Sequence, residues 1–311
     1  MREDKLLNME PPHWGRIFYQ QLQLHPFAGT GLLISVVIFT GLMLQSLWAL
    51  SSPELTTALG YATLGGLAGL TATAAGALPA LFMRSIPKRW EDGLLGFAAG
   101  MMLAASAFAL ILPGIAAAQP LFDSEFSAVL LIAAGIGLGV LLMLGLDTFT
   151  PHAHDSTGPC GAGHQYCAKL WLFVFAIALH NLPEGMAIGV SFVNVDLAVG
   201  MPLTSAIALQ DIPEGLAVAL ALTRLGVAPV MAVLIAAGTG VLELFGAVLG
   251  VGLAAGTPIA YPLGLALAAG AMLFVVSHEV IPETHRHGNQ TIATLGLMVG
   301  FVVMMILDTA L

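Results

Sequence analysis

His180-Asn181-Leu182-Pro183-Glu184-Gly185 and, thirty residues on, Gln210-Asp211-Ile212-Pro213-Glu214-Gly215 are two versions of one phrase. Each lies inside an apolar stretch, residues 170–192 and 203–222, of the length that crosses a bilayer as a helix. An ionised carboxylate at that depth costs several kcal/mol unless a partner compensates it. Three acids, one imidazole and two amides therefore gather in the middle of two neighbouring spans.

The spacing says what such a group can do. His180 and Glu184 stand four residues apart and share a helix face; Gln210 and Asp211 stand four and three residues before Glu214 and do the same. Both faces present nitrogen and oxygen donors of the kind that hold a divalent cation. The proline in each copy removes the hydrogen bond to the carbonyl four residues earlier, at Leu179 and Leu209. Kinked helices with freed carbonyls are expected, and in a membrane these face protein or a wet cavity. The plainer alternative is a pair of proline kinks whose polar groups only satisfy one another. Two matched copies carrying three carboxylates favour the metal site.

Composition fixes the class. With 58% hydrophobic residues, 9% charged residues and a mean hydropathy of +0.93, the 311 residues lie far outside the soluble average. The chain reads as an all-α polytopic membrane protein. Its net charge of −9 says little about partners, because basic residues are so few. There is no basic patch, heptad array or glycine-rich phosphate loop, so neither nucleic acid nor nucleotide is an expected partner.

About nine transmembrane helices are expected, at 29–50, 56–83, 92–118, 127–149, 169–193, 202–223, 228–255, 260–284 and 291–311. Residues 1–28 form a polar segment on the cytosolic side, with Trp14, Phe18 and Tyr19 at the interface. Residues 29–311 form a single transmembrane domain. The first span is too long, and too poor in small residues at its end, for a cleaved signal peptide. The basic residues test the count: Arg2, Lys5, Arg16, Arg84, Lys88, Arg89, Lys169, Arg224 and Arg286 all fall on the N-terminal side of nine spans. The opposite connections hold Asp123, Glu125 and Asp196 but no Lys or Arg. The positive-inside rule then puts the N-terminus in the cytosol and the C-terminus outside.

An internal duplication is also expected. Ala98-Ala99-Gly100-Met101-Met102-Leu103 in span three is echoed by Ala268-Ala269-Gly270-Ala271-Met272-Leu273 in span eight, each ahead of a proline, Pro113 and Pro282. Spans five positions apart run in opposite directions, so spans 2–4 and 7–9 form an inverted repeat around the central pair 5–6. Transporters of that design hold substrate at the midplane on broken helices.

Further candidates lie around the pair. Glu243 is alone in an apolar span and reads as a fourth site carboxylate; Met102 is a possible thioether donor. Asp147, His152 and His154 on one side, and His278, Glu279, Glu283 and His285 on the other, suggest a polar track from the centre to the cytosol, set against ordinary interfacial solvation. Asp308 reads as interfacial. The connection 151–168 collects His152, His154, Cys160, His164 and Cys167. Cytosolic thiols stay reduced, so no disulfide is expected, and the cysteine spacing fits no structural zinc pattern. A metal-capturing loop or a solvated linker both remain open.

The paired phrases, the His-bearing connection and Ser277-His278-Glu279-Val280-Ile281-Pro282-Glu283 together resemble the ZIP (ZRT/IRT-like) divalent-metal transporters, in the prokaryotic branch with an extra N-terminal span. The resemblance covers residues 29–311. It implies a binuclear site, with Met102, His180, Glu184, Gln210, Asp211 and Glu214 lining one metal position and Asn181, Glu184, Asp211, Glu214 and Glu243 the other. It also implies a homodimer in the bacterial cytoplasmic (inner) membrane, metal movement toward the cytosol, and an elevator-like motion of spans two, five, six and seven against three, four, eight and nine.

Four carboxylates, Glu184, Asp211, Glu214 and Glu243, would balance two divalent cations, and an arriving metal is expected to displace protons held among them. Mixed imidazole, carboxylate and thioether donors suit zinc, cadmium, iron or manganese better than magnesium or calcium, with zinc foremost. No prosthetic group is expected. Gln210 stands where eukaryotic members commonly carry His, which leaves the order among these metals open. Two rivals are weaker. An intramembrane metallohydrolase needs two His one turn apart with a Glu base, but Pro282 stands where the partner of His278-Glu279 should be. A proton-coupled carrier of a small organic solute explains the acids but not the matched His, Asn and Gln donors.

Overall fold

The computed structural model describes residues 14–46, 53–83, 85–150, 152–154, 158–160 and 169–310. Ten helices follow one another: α1 (Trp14–Leu24), α2 (Pro26–Ser46), α3 (Pro53–Ala77), α4 (Lys88–Leu121), α5 (Glu125–Phe149), α6 (Lys169–Ser191), α7 (Leu197–Arg224), α8 (Pro229–Ala254), α9 (Ala260–Thr284) and α10 (Gln290–Ala310). Pro26, Pro53 and Pro229 each open a helix, where a missing N–H costs nothing. Asp196 caps α7 by accepting the N–H of Ala198 at 2.9 Å.

Among the described residues, α3, α4, α5, α7, α8, α9 and α10 are long and apolar enough to cross a membrane, seven helices in all, or eight if α1 and α2 count as one bent span. Helix α6 adds a further 23 residues. The chain is thus a multi-pass, all-helical membrane protein. Three details differ from the expectation. The N-terminal segment contains a helix, α1, set at 110° to α2 and lying on the end of α5: Phe18 stacks on Phe149, and Gln21 Nε2 donates to the carbonyl of Thr148 at 3.1 Å. Helix α8 is interrupted at Gly240, so Glu243 begins a new helical turn instead of sitting mid-helix. The His-bearing connection contains two three-residue strands, β1 (His152–His154) and β2 (Gly158–Cys160), paired antiparallel with His152 opposite Cys160. His164 and Cys167 lie outside the described residues.

The helices pack in two sets. In one, α3 lies along α7 and α6 along α8, and α8 also contacts α3. In the other, α4 lies along α10 and α5 along α9. The small residues that the repeat singled out sit at these crossings. A Cβ on Gly100 would strike the Leu297 carbonyl of α10, and one on Gly270 the Ile136 carbonyl of α5. Helices without side chains at the crossing can approach until backbones touch, which is how membrane helices gain dispersion where no hydrophobic drive exists. Helices α4 and α9 each carry one π-helical segment, Ala105–Ile111 and Val276–Val280, followed by Pro113 and Pro282.

Candidate metal site

Both copies of the phrase lie in continuous helix, Pro183 inside α6 and Pro213 inside α7. Their glycines set the surroundings. A side chain on Gly185 would meet the backbone of Glu243 on α8; one on Gly215 would meet the backbone of Thr73 on α3. Each copy is therefore backed by a helix in direct backbone contact, and four helices converge on one point.

Polar side chains fill that point. Glu184, Gln210, Asp211 and Glu243 are all at most 1% exposed. Gln210 Nε2 donates to Glu184 Oε1 at 2.6 Å, and Asn181 Nδ2 donates to Glu243 Oε1 at 3.1 Å. Yet Glu184 Oε2, Gln210 Oε1, Asp211 Oδ2, Glu214 Oε1 and Glu243 Oε2 are buried with no hydrogen-bond partner among the described residues. Such atoms are costly to leave unsatisfied in a protein interior, and more so in a membrane. Oxygens of Glu184, Asp211 and Glu214 lie within 4.8 Å of one another. Two oxygens bound to one tetrahedral zinc ion, each at about 2.1 Å, stand about 3.4 Å apart, so the three would draw together around an ion they shared.

The other expected residues divide. Met102 is buried on α4 in the main apolar core, which also holds Met186 and Ile207. His180 is only partly buried and points across to α9, its Nε2 3.2 Å from Glu279 Oε2. His278 stacks on Phe274 and lies 3.9 Å from Asp147 Oδ2. Glu279 is thus brought to the edge of the site at His180, and both His278 and Glu279 belong to the π segment of α9. The outer half is engaged locally: Glu283 pairs with Arg286 at 3.0 Å, and His285 Nδ1 lies 2.9 Å from Thr284 Oγ1 and 3.0 Å from the carbonyl of Ile281. The side chains of His152, His154 and Cys160 lie outside the described set.

Sequence reasoning missed Thr73, whose hydroxyl donates to Glu243 Oε1 at 3.0 Å, and Gly69, whose missing Cβ makes room for Glu243 and Asp211. The available signal was the ladder Gly65-x-x-x-Gly69-x-x-x-Thr73, a small residue every fourth position, which marks a close helix crossing. It also missed a polar knot at one end of the molecule. Arg224 at the end of α7 makes a two-pronged pair with the buried Glu91 of α4, at 2.6 and 3.2 Å, and Lys88 adds a third contact at 3.1 Å. The neighbouring Asp92 accepts from Asn289 at 2.8 Å and faces His287 at 3.1 Å. Connections that the basic residues assign to one side of the membrane thus meet in one place.

Comparison with known proteins identifies the family. Residues 150–308 match the family model described as ZIP Zinc transporter. The chain is 56% identical over 294 residues to Zinc transporter ZIPB of Bordetella bronchiseptica, covering 94% of this chain and 95% of that protein. It is 39% identical over 253 residues to Zinc transporter GufA of Myxococcus xanthus, covering 81% of this chain and all 100% of that protein. Zinc transporter ZIP11 of Homo sapiens is 30% identical over 321 residues, covering 77% of this chain and 94% of its own length. The chain belongs to the ZIP zinc transporter family, whose members are transporters and not enzymes.

Proposed function

We propose that this protein carries divalent transition-metal ions, zinc foremost, across the membrane and into the cytosol through a two-ion site at mid-span. One observation carries the reading: five buried oxygens from α6, α7 and α8 converge without hydrogen-bond partners among the described residues, four of them on carboxylates. Four carboxylates match the charge of two divalent ions, and the names of the relatives point to zinc. His180, Glu184, Gln210, Asp211, Glu214 and Met102 would line the first position, and Asn181, Glu184, Asp211, Glu214 and Glu243 the second. Cadmium, iron and manganese fit the same donor set. The contact of His180 with Glu279, and of His278 with Asp147, supports a track leading away from it.

Transport is by movement of α3, α6, α7 and α8 against α4, α5, α9 and α10. Backbone-close glycine crossings such as Gly185 to α8 and Gly100 to α10 lie within each set, while polar pairs such as Arg224 with Glu91 bridge the two, a pattern suited to sliding. The same pairing relates α3 to α8, α4 to α9 and α5 to α10 as an inverted repeat about α6 and α7, and the matched π segments support it. With α2 and α6, the helices make nine crossings, N-terminus in the cytosol and C-terminus outside. The homodimer, the bacterial cytoplasmic membrane and the inward direction rest on the family resemblance.

The test is uptake of radioactive zinc into proteoliposomes by wild type, Glu214→Ala and His180→Ala, with folding checked by gel filtration. Wild type is expected to take up zinc, and both variants to lose uptake while staying folded. Normal uptake by both variants would remove the central site from the pathway.

A further inference from the structure

The hydroxyl of Thr73 is buried on α3, 3.0 Å from Glu243 Oε1 and 3.1 Å from the carbonyl of Gly69 one turn back. It has one proton to donate. Thr63, Thr148 and Thr239 give theirs to carbonyls of their own helices. At Thr73 a carboxylate competes, and a charge-assisted bond is about twice as strong as a neutral one. Once a metal has displaced the protons held among the carboxylates and Glu243 is ionised, the hydroxyl proton therefore goes to Glu243.

Glu243 Oε1 also accepts from Asn181 at 3.1 Å, so both donors meet on the same oxygen. The other oxygen, Oε2, has no hydrogen-bond partner among the described residues. A Cβ on Gly69 would overlap that oxygen and come within 3.2 Å of Asp211 Oδ2. Glu243 Oε2 thus fills the space that the missing side chain leaves, with Asp211 Oδ2 at its edge. Thr73 is itself held in place, because its backbone rests against Gly215 of the second phrase.

We propose that Thr73 is a positioning residue that makes Glu243 a one-oxygen ligand. With Oε1 tied to Thr73 and Asn181, only Oε2 is offered to the second metal position, beside Asp211. This rests on the two-ion reading above. It makes Thr73 a determinant of metal choice: a carboxylate limited to one oxygen suits zinc, which takes few ligands, whereas one free to bind through both suits calcium, which takes six to eight.

The test is a calorimetric zinc titration of the purified chain as wild type, Thr73→Val and Thr73→Ser, repeated with calcium present in excess. Infrared difference spectra of the carboxylate bands provide the second readout. Wild type is expected to bind two zinc ions. The valine variant, which keeps the shape and removes the hydroxyl, should bind the first ion unchanged and the second at least about tenfold more weakly, equivalent to about 1.4 kcal/mol. Calcium should compete better there, and the zinc-induced carboxylate splitting should narrow as Glu243 turns to use both oxygens. Serine should restore wild-type behaviour in every readout. Where the valine variant does not fold, Thr73→Ala provides the same comparison. Two ions bound at wild-type affinity with unchanged bands in the hydroxyl-free variant would overturn the role of Thr73 and leave the two-ion reading standing. One ion or none in wild type would overturn both.

Discussion

In the first copy of the repeated phrase, Glu184 is fully buried and one of its oxygens is tied to Gln210; in the second, Glu214 is only partly buried. The leading residues differ in the same sense. His180 reaches out to Glu279 on α9, across the boundary between the two helix sets, while Gln210 turns inward to Glu184. The glycines, by contrast, do the same work in both: each lets a supporting helix come into backbone contact, α8 at Glu243 for the first copy and α3 at Thr73 for the second. Because Thr73 donates to Glu243, the two supports are joined as well. Backbone likeness builds the site, and side-chain unlikeness gives it an inner, held end and an outer, connected end.

The largest effect should come from removing charge at equivalent places. Glu184→Gln and Glu214→Gln each keep size and remove an anion from the group of three oxygens within 4.8 Å. Changing only the outer partners of metal ligands costs about 10–100-fold in affinity. Loss of a ligand's charge should exceed about 100-fold in zinc affinity, read by competition with a chromophoric chelator. Both variants should fall together if the two glutamates share an ion. A large loss at one and a small loss at the other would separate the copies into one binding and one structural element.

Next in size is the test of the shared backbone role. Gly185→Ala and Gly215→Ala put a methyl group against a carbonyl of a neighbouring helix, and carbonyls cannot swing aside as side-chain ends do. Overpacking of this kind costs about 1–3 kcal/mol. Thermal unfolding in detergent should show both variants destabilised by similar amounts, whereas Gly238→Ala, where a Cβ would meet nothing within 4 Å, should be neutral or slightly stabilising. Unequal losses would mean that the copies are alike in sequence and not in packing.

These contrasts also mark what a sequence of this kind can disclose. The phrases, the bilayer-length runs and Glu243 stand out because each sets a charge where composition forbids one, and that conflict needs no tertiary knowledge. Thr73 and Gly69 raise no conflict: a hydroxyl and a small residue are ordinary in an apolar span, and only the crossing of α3 with α8 makes them neighbours of a carboxylate. The break at Gly240 and the π segments Ala105–Ile111 and Val276–Val280 were similarly hidden, since they are choices of hydrogen-bond register within runs that read as uniform helix. The angle between α1 and α2 turns on Pro26, which as easily begins a helix as ends a segment before it.

The smallest expected effect sharpens the difference between the leading residues. If His180 serves mainly to connect the site with Glu279, then His180→Gln, which makes the first copy resemble the second, should slow zinc uptake by about tenfold, a loss of the size that one positioned hydrogen-bonding group supplies. Zinc affinity should change less than the rate, because Glu184, Asp211 and Glu214 remain. Glu279→Gln should reproduce the same split between rate and affinity, since it alters the other end of one 3.2 Å contact. The reciprocal change, Gln210→His, adds an imidazole at the inward-facing end and should raise zinc affinity relative to manganese without altering the contact to α9. Rates and affinities measured on the three variants side by side decide the matter. Parallel losses of affinity and rate in His180→Gln would mean that His180 works chiefly as a metal ligand, like the carboxylates, and that its contact with Glu279 contributes little to the rate.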